Sequence, residues 1–136
     1  NEDSLKKKIE DVTPEEAFKN AFNLLMGQQY ADAKSSFKNF ISNYQESNLS
    51  GSAHYWLGEI YFLKKEYREA ALILAEGVQK HPKSNKAPEM LYRLSESLIK
   101  INKTEDACNT LKKLNNEYPN SKIISKSLKD ISNIGC

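Results

Sequence analysis

The sequence predicts an all-α protein in which three helical hairpins and a closing helix form a solenoid. In its central stretch, Ala53, Trp56, Leu57, Ile60 and Tyr61 fall at positions i, i+3, i+4, i+7 and i+8. This spacing places the apolar side chains on one face of an amphipathic helix. The same pattern recurs on both sides of the stretch, and a chain of 136 residues is long enough to bury one hydrophobic core.

The recurrence has a period of 37 residues. Repetition of one pattern at a fixed period is typical of solenoid proteins, in which each unit stacks on its neighbours. The equivalent positions are Ala33, Ala70 and Ala107; Leu24, Tyr61 and Leu98; Phe37, Leu74 and Leu111; Ser47, Ser84 and Ser121; and the pairs Tyr44-Gln45, His81-Pro82 and Tyr118-Pro119. So many coincident positions indicate that one structural unit occurs three times.

The second unit is predicted to contain two helices joined by a tight turn. A second apolar stripe, from Tyr67 to Val78, follows the polar residues 64–66. Pro82 ends this helix, because proline disfavours a helical conformation in the residue before it. The small residues Gly58 and Ala70 allow two antiparallel helices to approach closely.

The signature residues of this hairpin are Leu57-Gly58, Tyr61, Tyr67, Ala70 and Pro82. At these spacings the unit resembles a tetratricopeptide repeat (TPR), a helical hairpin that stacks into a right-handed solenoid. The usual period of that repeat is about 34 residues. We therefore place about three additional residues per unit in the connection after the second helix.

In chain order, residues 1–12 are polar and are predicted to be a linker or tail. Thr13 then caps a helix that begins at Pro14, and Glu16 completes a capping box. We expect a TPR domain at 13–136, with repeats at about 14–47, 51–84 and 88–121 and a capping helix at about 122–134. The helices of the first and third repeats are predicted at Glu15–Met26, Tyr30–Tyr44, Ala87–Ile101 and Thr104–Tyr118.

The closing helix is predicted from one more apolar stripe, made of Ile123, Ile124, Leu128, Ile131 and Ile134. Without such an element the last repeat of a solenoid exposes its apolar face.

Charge and hydropathy exclude two kinds of partner. The 20 basic and 18 acidic residues are not gathered into a basic block, so nucleic acid is not an expected ligand. No apolar run approaches the ~20 residues that span a bilayer, and membrane insertion is not expected. Because the chain opens at Asn1 and carries no signal sequence, we expect a processed or excised segment.

The sequence contains no pattern that predicts catalysis, a metal site or a cofactor. His54, His81, Cys108 and Cys136 lack the spacings of metal ligands, and neither a glycine-rich phosphate loop nor a nucleophile elbow is present. His54 is interpreted as a helix residue near the packing seam. His81 is interpreted as a cation at a helix C-terminus, where the dipole favours it.

The two cysteines are interpreted as a disulfide. Cys136 follows a helix that is expected to run antiparallel to the helix containing Cys108, 28 residues earlier. Closing that loop would stabilise the fold by about 3 to 4 kcal/mol in the chain-entropy model, and a disulfide implies an oxidising compartment. The alternative is a small buried thiol and a free terminal one.

The TPR resemblance also implies a protein-binding groove lined by the first helix of each repeat. Its expected residues are rich in aromatic side chains, which dominate interface hot spots. Trp56 suits the core as well as the groove, and the residues that clamp a terminal carboxylate in chaperone-binding TPR domains do not occur at matching places. The predicted groove residues are Phe18, Phe22, Tyr55, Trp56, Glu59, Phe62, Tyr92, Arg93 and Glu96.

A narrower resemblance rests on AHYWLGEIYF at 53–62, Tyr118-Pro119-Asn120-Ser121, Ala107-Cys108 and Ile134-Gly135-Cys136. Together with the lengthened repeat, these motifs resemble the C-terminal TPR domain of the YbgF/CpoB family, the cell division coordinator of the Tol-Pal system. The resemblance covers 13–136. Two positions depart from the pattern, since Gln45 replaces a proline and Ser95 replaces a glycine.

This second resemblance implies a nonenzymatic periplasmic scaffold whose upstream coiled coil trimerises. Its implied partners are TolA and the peptidoglycan synthase machinery, which the family links during outer-membrane constriction in cell division. Two alternatives remain open at this point. One is a TPR adaptor of the outer-membrane assembly lipoprotein type, and the other is an enzyme subunit.

Overall fold

The computed structural model describes residues 12–136, which fold into consecutive antiparallel helices. In chain order the helices are α1 (Pro14–Met26), α2 (Tyr30–Asn43), α3 (Ser50–Leu63), α4 (Tyr67–Lys80), α5 (Ala87–Lys100), α6 (Thr104–Glu117) and α7 (Ile124–Ile134). Each helix packs on the next, and α3 also packs on α5. The all-α solenoid of three hairpins and a terminal helix is confirmed.

Thr13 caps the start of α1, as predicted. Thr13 Oγ1 accepts a hydrogen bond from the Glu16 backbone N–H at 3.1 Å, and Pro14 occupies the first turn. The predicted linker or tail at 1–12 lies outside the described residues except for Val12. The carbonyl oxygen of Val12 accepts a hydrogen bond from the Tyr44 hydroxyl at 2.8 Å, which fixes the entry to α1 against the end of α2.

The turn inside each hairpin contains one residue in the left-handed region. Gln28, Lys65 and Asn102 have φ values of 60°, 62° and 63°, and they are spaced by the repeat period. A left-handed residue reverses the chain after the first helix of each hairpin. The sequence analysis did not detect these positions, because their side chains have no common type.

The connections between repeats are also built alike. Ser47, Ser84 and Ser121 each accept a hydrogen bond at Oγ from the backbone N–H two residues later, at 3.1, 3.2 and 3.3 Å. Each also donates its backbone N–H to the carbonyl three residues earlier, at 3.1 Å in all three cases. The regular spacing of serine along this chain therefore reflects one turn structure that occurs three times.

The core lies between the two helices of each hairpin, where a small residue faces a large one. Gly58 of α3 approaches Leu74 of α4 so closely that a Cβ atom built on Gly58 would lie 2.4 Å from Leu74 Cδ2. The equivalent small residues, Ala21 and Ser95, are fully buried, as are Phe37 and Leu111 opposite them. The predicted role of Gly58 and of buried Ala70 in close helix packing is confirmed.

Helix α7 covers the last repeat and ends at a glycine. Gly135 adopts φ 78°, a conformation that glycine reaches without a Cβ penalty. This turn brings Cys136 back to α6, where it forms a disulfide with Cys108 (S–S 2.02 Å, Cα–Cα 5.7 Å).

One residue of the predicted α7 stripe is not buried. Ile123, Ile124, Ile131 and Ile134 pack against the core, but Leu128 is 54% exposed. Ser127 takes its place on the buried face. The prediction for Leu128 was wrong because it lies at the edge of the helix face, where apolar spacing alone does not decide burial.

Within the described range, no helix is long and apolar enough to cross a membrane.

Candidate protein-binding site

The first helices of the three repeats, α1, α3 and α5, lie side by side, and α7 extends the row. Side chains join each neighbouring pair: Phe22 contacts Trp56, Glu59 contacts Arg93, and Tyr92 contacts Asp130. All nine residues predicted to line a groove are partly buried, so they have both a packed side and an accessible side. The structure brings these residues together, and whether they bind a partner stays a prediction.

The α1 and α3 half of this row is aromatic. The Phe18 ring stacks on Phe22 with centroids 6.3 Å apart, and Phe22 meets Trp56 edge to face at 5.3 Å. Tyr55 meets Trp56 edge to face at 4.9 Å. Edge-to-face and offset contacts of this kind hold aromatic rings in fixed orientations. Rings that are held in this way present apolar area without a further loss of side-chain entropy.

Trp56 belongs to both the core and the groove. It packs against the buried core while keeping an accessible part, and the amino group of Lys86 lies 5.5 Å from its ring centroid. Phe18 is the most core-like of the predicted residues, since it also meets the buried Phe37 and Phe40 rings edge to face.

The α3 and α5 half of the row is polar and internally paired. Arg93 forms a two-pronged contact with Glu59, Nε–Oε1 at 2.6 Å and Nη2–Oε2 at 3.0 Å, and its Nη1 donates to Glu96 at 2.9 Å. Its guanidinium carbon also lies 4.3 Å from the Phe62 ring centroid. The hydrogen bonds that Arg93 donates to Glu59 raise the pKa of Arg93, so Arg93 stays charged and joins the second repeat to the third.

A cavity of about 370 Å³ opens between α3, α5 and α7, and the polar half of the groove lines it. Burial raises the pKa of Tyr55 to about 12, with the charges of Glu59 and Glu89 adding to the effect. Burial also raises the pKa of Glu96, against the opposing charge of Arg93. The pKa of Tyr92 is raised by burial and by its hydrogen bond to Asp130.

A larger cavity lies on the opposite side, between α2 and α4. Its volume is about 1180 Å³, and its floor includes Ser50, His54 and Leu57 of α3. Leu72, which is 73% exposed, stands at its edge. The sequence analysis did not predict this second surface, because it arises from the gap between the second helices of neighbouring repeats.

The two histidines lie together beside that cavity. Their ring centroids are 5.4 Å apart. His54 is only 1% exposed, and its Nδ1 and Nε2 lie 2.7 Å from the Ser50 carbonyl oxygen and 3.0 Å from Glu76 Oε2. Its predicted place at the packing seam is confirmed. His81 lies at the C-terminal end of α4, where the sequence analysis placed it, and burial and then the charges of His54 and Lys80 lower its pKa.

Among residues 12–136, no group of three or more His, Cys, Asp or Glu side chains is arranged to hold a metal ion. Both cysteines are in the disulfide. The described residues thus form an aromatic and charged groove with a second cavity behind it.

A row of helical hairpins with an accessible aromatic groove along their first helices defines a TPR-like protein-interaction scaffold. Residues 10–134 match the family described as "YfiO: Outer membrane lipoprotein". Because the match spans most of the sequence, the chain belongs to this family. The resemblance to the YbgF/CpoB family holds at the level of a TPR-type domain, and no curated protein matches the chain.

Two solved structures illustrate the fold. One is the type III secretion translocator chaperone SycD of Yersinia enterocolitica, with a TM-score of 0.72 and 19% identity over 90% of this chain and 88% of that one. The other is the Hsp90 co-chaperone Cns1 from Saccharomyces cerevisiae, with a TM-score of 0.75 and 20% identity. That match covers 88% of this chain and 38% of Cns1. At these identities the likeness concerns the fold alone.

Proposed function

We propose that this domain is a nonenzymatic adaptor of the bacterial cell envelope that binds a segment of a partner protein along α1, α3 and α5. The observation that carries the proposal is the row of partly buried, mutually packed rings formed by Phe22, Trp56 and Tyr55, with Phe62 about two helical turns beyond Tyr55 on α3. Pre-oriented aromatic rings beside a charged rim are the usual composition of an interaction hot spot.

The groove suits a peptide or helix better than a small molecule. Its rings and ion pairs extend from α1 to α7 along one face, so contacts would be spread over a segment of several residues. An amphipathic segment would bury its apolar side chains on the rings and place polar side chains near Glu59 and Arg93.

The envelope location is supported by two observations. The family is described as an outer membrane lipoprotein, and the disulfide between Cys108 and Cys136 is the kind of bond that persists in oxidising compartments such as the periplasm. We therefore place the domain in the periplasm.

Of the finer roles, the family match favours an adaptor of the outer-membrane assembly lipoprotein type. A second candidate is the Tol-Pal role, in which the domain binds TolA or peptidoglycan synthases during outer-membrane constriction and trimerises through an upstream coiled coil. The motif AHYWLGEIYF at 53–62 favours this second role.

The test is capture of envelope proteins by the immobilised domain, with each candidate partner detected by its own antibody. The variant Tyr55→Ala plus Phe62→Ala removes two groove rings, and we expect it to weaken partner retention by about tenfold or more. Leu72→Ala is the control, because it removes an exposed apolar side chain from the opposite cavity. If both variants retain the partner as the wild type does, the groove is not the binding site. If only Leu72→Ala loses it, binding belongs to the α2–α4 cavity.

The identity of the retained protein distinguishes the two finer roles. Retention of outer-membrane assembly components supports the assembly adaptor, whereas retention of TolA or a peptidoglycan synthase supports the Tol-Pal role. Turnover of cell-wall fragments by the purified domain would contradict a nonenzymatic scaffold.

A further inference from the structure

The cavity between α3, α5 and α7 has an unusual balance of charge. Three carboxylates line it, from Glu59, Glu89 and Glu96, against the cations Arg93 and Lys126. Arg93 already donates to both Glu59 and Glu96, so the carboxylates of these two residues are paired within the protein. Lys126 is exposed on α7 and is free to reach into solvent.

Glu89 is the carboxylate of the cavity that does not pair with Arg93. Its Oε2 atom is buried and has no hydrogen-bond partner among the residues that the structure describes. Glu89 lies in the first turn of α5. A buried carboxylate oxygen without a donor is costly, and native proteins generally satisfy such atoms.

The walls of the cavity also suit a cation. Tyr55 and Tyr92 line it from α3 and α5. The groove already holds cations against its rings, since the Lys86 amino group lies 5.1 Å from the Tyr55 ring centroid and the Arg93 guanidinium lies 4.3 Å from that of Phe62. Aromatic faces attract ammonium and guanidinium groups over such distances.

We propose that the cavity between α3, α5 and α7 receives a lysine or arginine side chain of the partner segment, with the Glu89 carboxylate as its acceptor and the Tyr55 and Tyr92 rings as its walls. The proposal rests on the proposed function of the groove and adds the charge that the partner must carry. It predicts that the partner segment carries a basic residue flanked by apolar ones, because the cavity adjoins the aromatic row. The cation donates to Glu89, and the Arg93 network stays in place.

The test uses an N-acetylated, C-amidated Ala-Leu-Arg-Leu-Ala peptide, titrated into the labelled domain and followed by amide NMR. The same peptide with citrulline keeps the shape of arginine without its charge. We expect saturable shifts at Glu89, Tyr92 and Glu96 with the arginine peptide and much weaker shifts with the citrulline peptide. Glu89→Gln, which keeps the side-chain shape, should weaken the arginine peptide by about tenfold, since hydrogen bonds to charged groups are strong.

Glu105→Gln is the matched control, because it removes the same charge from the exposed first turn of α6. It should leave the titration unchanged, and circular dichroism should show the same melting curve for both variants. Absence of saturable shifts, equal shifts with the citrulline peptide, or wild-type binding by Glu89→Gln each overturns the proposal. A citrulline peptide with a free N-terminus tests whether the site captures an α-amino group instead of a side chain. Binding of that peptide at Glu89 would also overturn the proposal.

Failure of the Glu89 proposal can be distinguished from failure of the proposed function. If Glu89→Gln captures the partner as well as the wild type does while Tyr55→Ala plus Phe62→Ala loses it, the groove binds the partner without the proposed basic residue.

Discussion

At the residue scale, the two histidines show how burial and hydrogen bonding separate similar side chains. Both ring nitrogens of His54 face oxygen atoms, those of the Ser50 carbonyl and the Glu76 carboxylate. Burial raises the pKa of Glu76, but the hydrogen bonds from Lys80 and His54 lower it more, so the net shift is downward. The pKa of His81, beside them, is lowered by burial and then by the charges of His54 and Lys80.

The lowered pKa of His81 predicts an acid-sensitive fold. Below the usual value of 6.5, the unfolded chain takes up a proton at His81 that the folded protein binds less readily, so stability should fall as pH decreases from about 7 toward 5. The neighbouring charges that set this pKa are His54 and Lys80, which lower it, and Glu46 and Glu76, which raise it. A further loss should follow below 4.5, as the depressed carboxyl of Glu76 is protonated.

The measurement is the urea midpoint of unfolding between pH 8 and 4. His81→Tyr places the residue of the equivalent positions 44 and 118 at this site, and it should remove much of the loss between pH 7 and 5. The loss below 4.5 should persist in this variant. An identical pH profile for variant and wild type would show that His81 does not cause the first loss.

At the scale of the element, each hairpin depends on one small residue of its first helix. Ala21, Gly58 and Ser95 occupy equivalent positions, and all are buried against the second helix. Ser95 fills its place while donating its hydroxyl to the Tyr92 carbonyl at 2.6 Å. The residue at this position therefore ranges in size from glycine to serine between repeats.

Gly58→Ala should destabilise the domain although alanine favours helices. The added Cβ would lie 2.4 and 2.5 Å from Leu74 Cδ2 and Cγ, and Leu74 is fully buried. Overpacking of this kind typically costs about 1 to 3 kcal/mol, against about 1 kcal/mol gained in helix propensity. Chemical denaturation should show a net loss of unfolding free energy. Ser95→Ala is the control, since its Cβ is already accommodated, and a gain in stability for Gly58→Ala would contradict the close approach of α3 and α4.

At the scale of the whole molecule, α7 and the disulfide close the solenoid. Ile124, Ile131 and Ile134 cover the third hairpin, and Cys136 joins α7 to α6 across 28 residues of sequence. A crosslink of this span restricts the unfolded chain more than it changes the folded one. The terminal helix is therefore held by packing on one face and by a covalent bond at its end.

Reduction of the disulfide should cost about 3 to 4 kcal/mol of unfolding free energy in the chain-entropy model. Denaturation with and without reductant measures this loss, and hydrogen exchange should show that α7 opens first, because it is the last element of the row. The double variant Cys108→Ser plus Cys136→Ser should be insensitive to reductant. Two reactive thiols in the unreduced, denatured wild type would contradict the crosslink.

The sequence was sufficient to predict the repeat, the hairpins and the capping helix. Helical periodicity and proline are local signals, and they placed most helix ends within one or two residues of those observed. The disulfide followed from the expected antiparallel course of α6 and α7. The groove residues were predicted from the resemblance to TPR proteins, and the structure shows that they share one face.

The remaining features depend on contacts between distant residues. Arg93 pairs with Glu59 across 34 positions, and His54 with Glu76 across 22. No local pattern indicates which of several glutamates such a side chain will contact. Glu89 was missed for a related reason, because its significance lies in the absence of a partner within the described structure.

The three serine turns give each connection after a repeat the same backbone structure, so whole repeats can be removed or added. Ser47, Ser84 and Ser121 hold the same backbone geometry at the same phase, so a chain cut after one serine and rejoined after another keeps the course of its backbone. Removing 48–84 would join the first unit to the third without altering the joint. Length can thus change by whole units, and a shorter or longer groove requires no new turn.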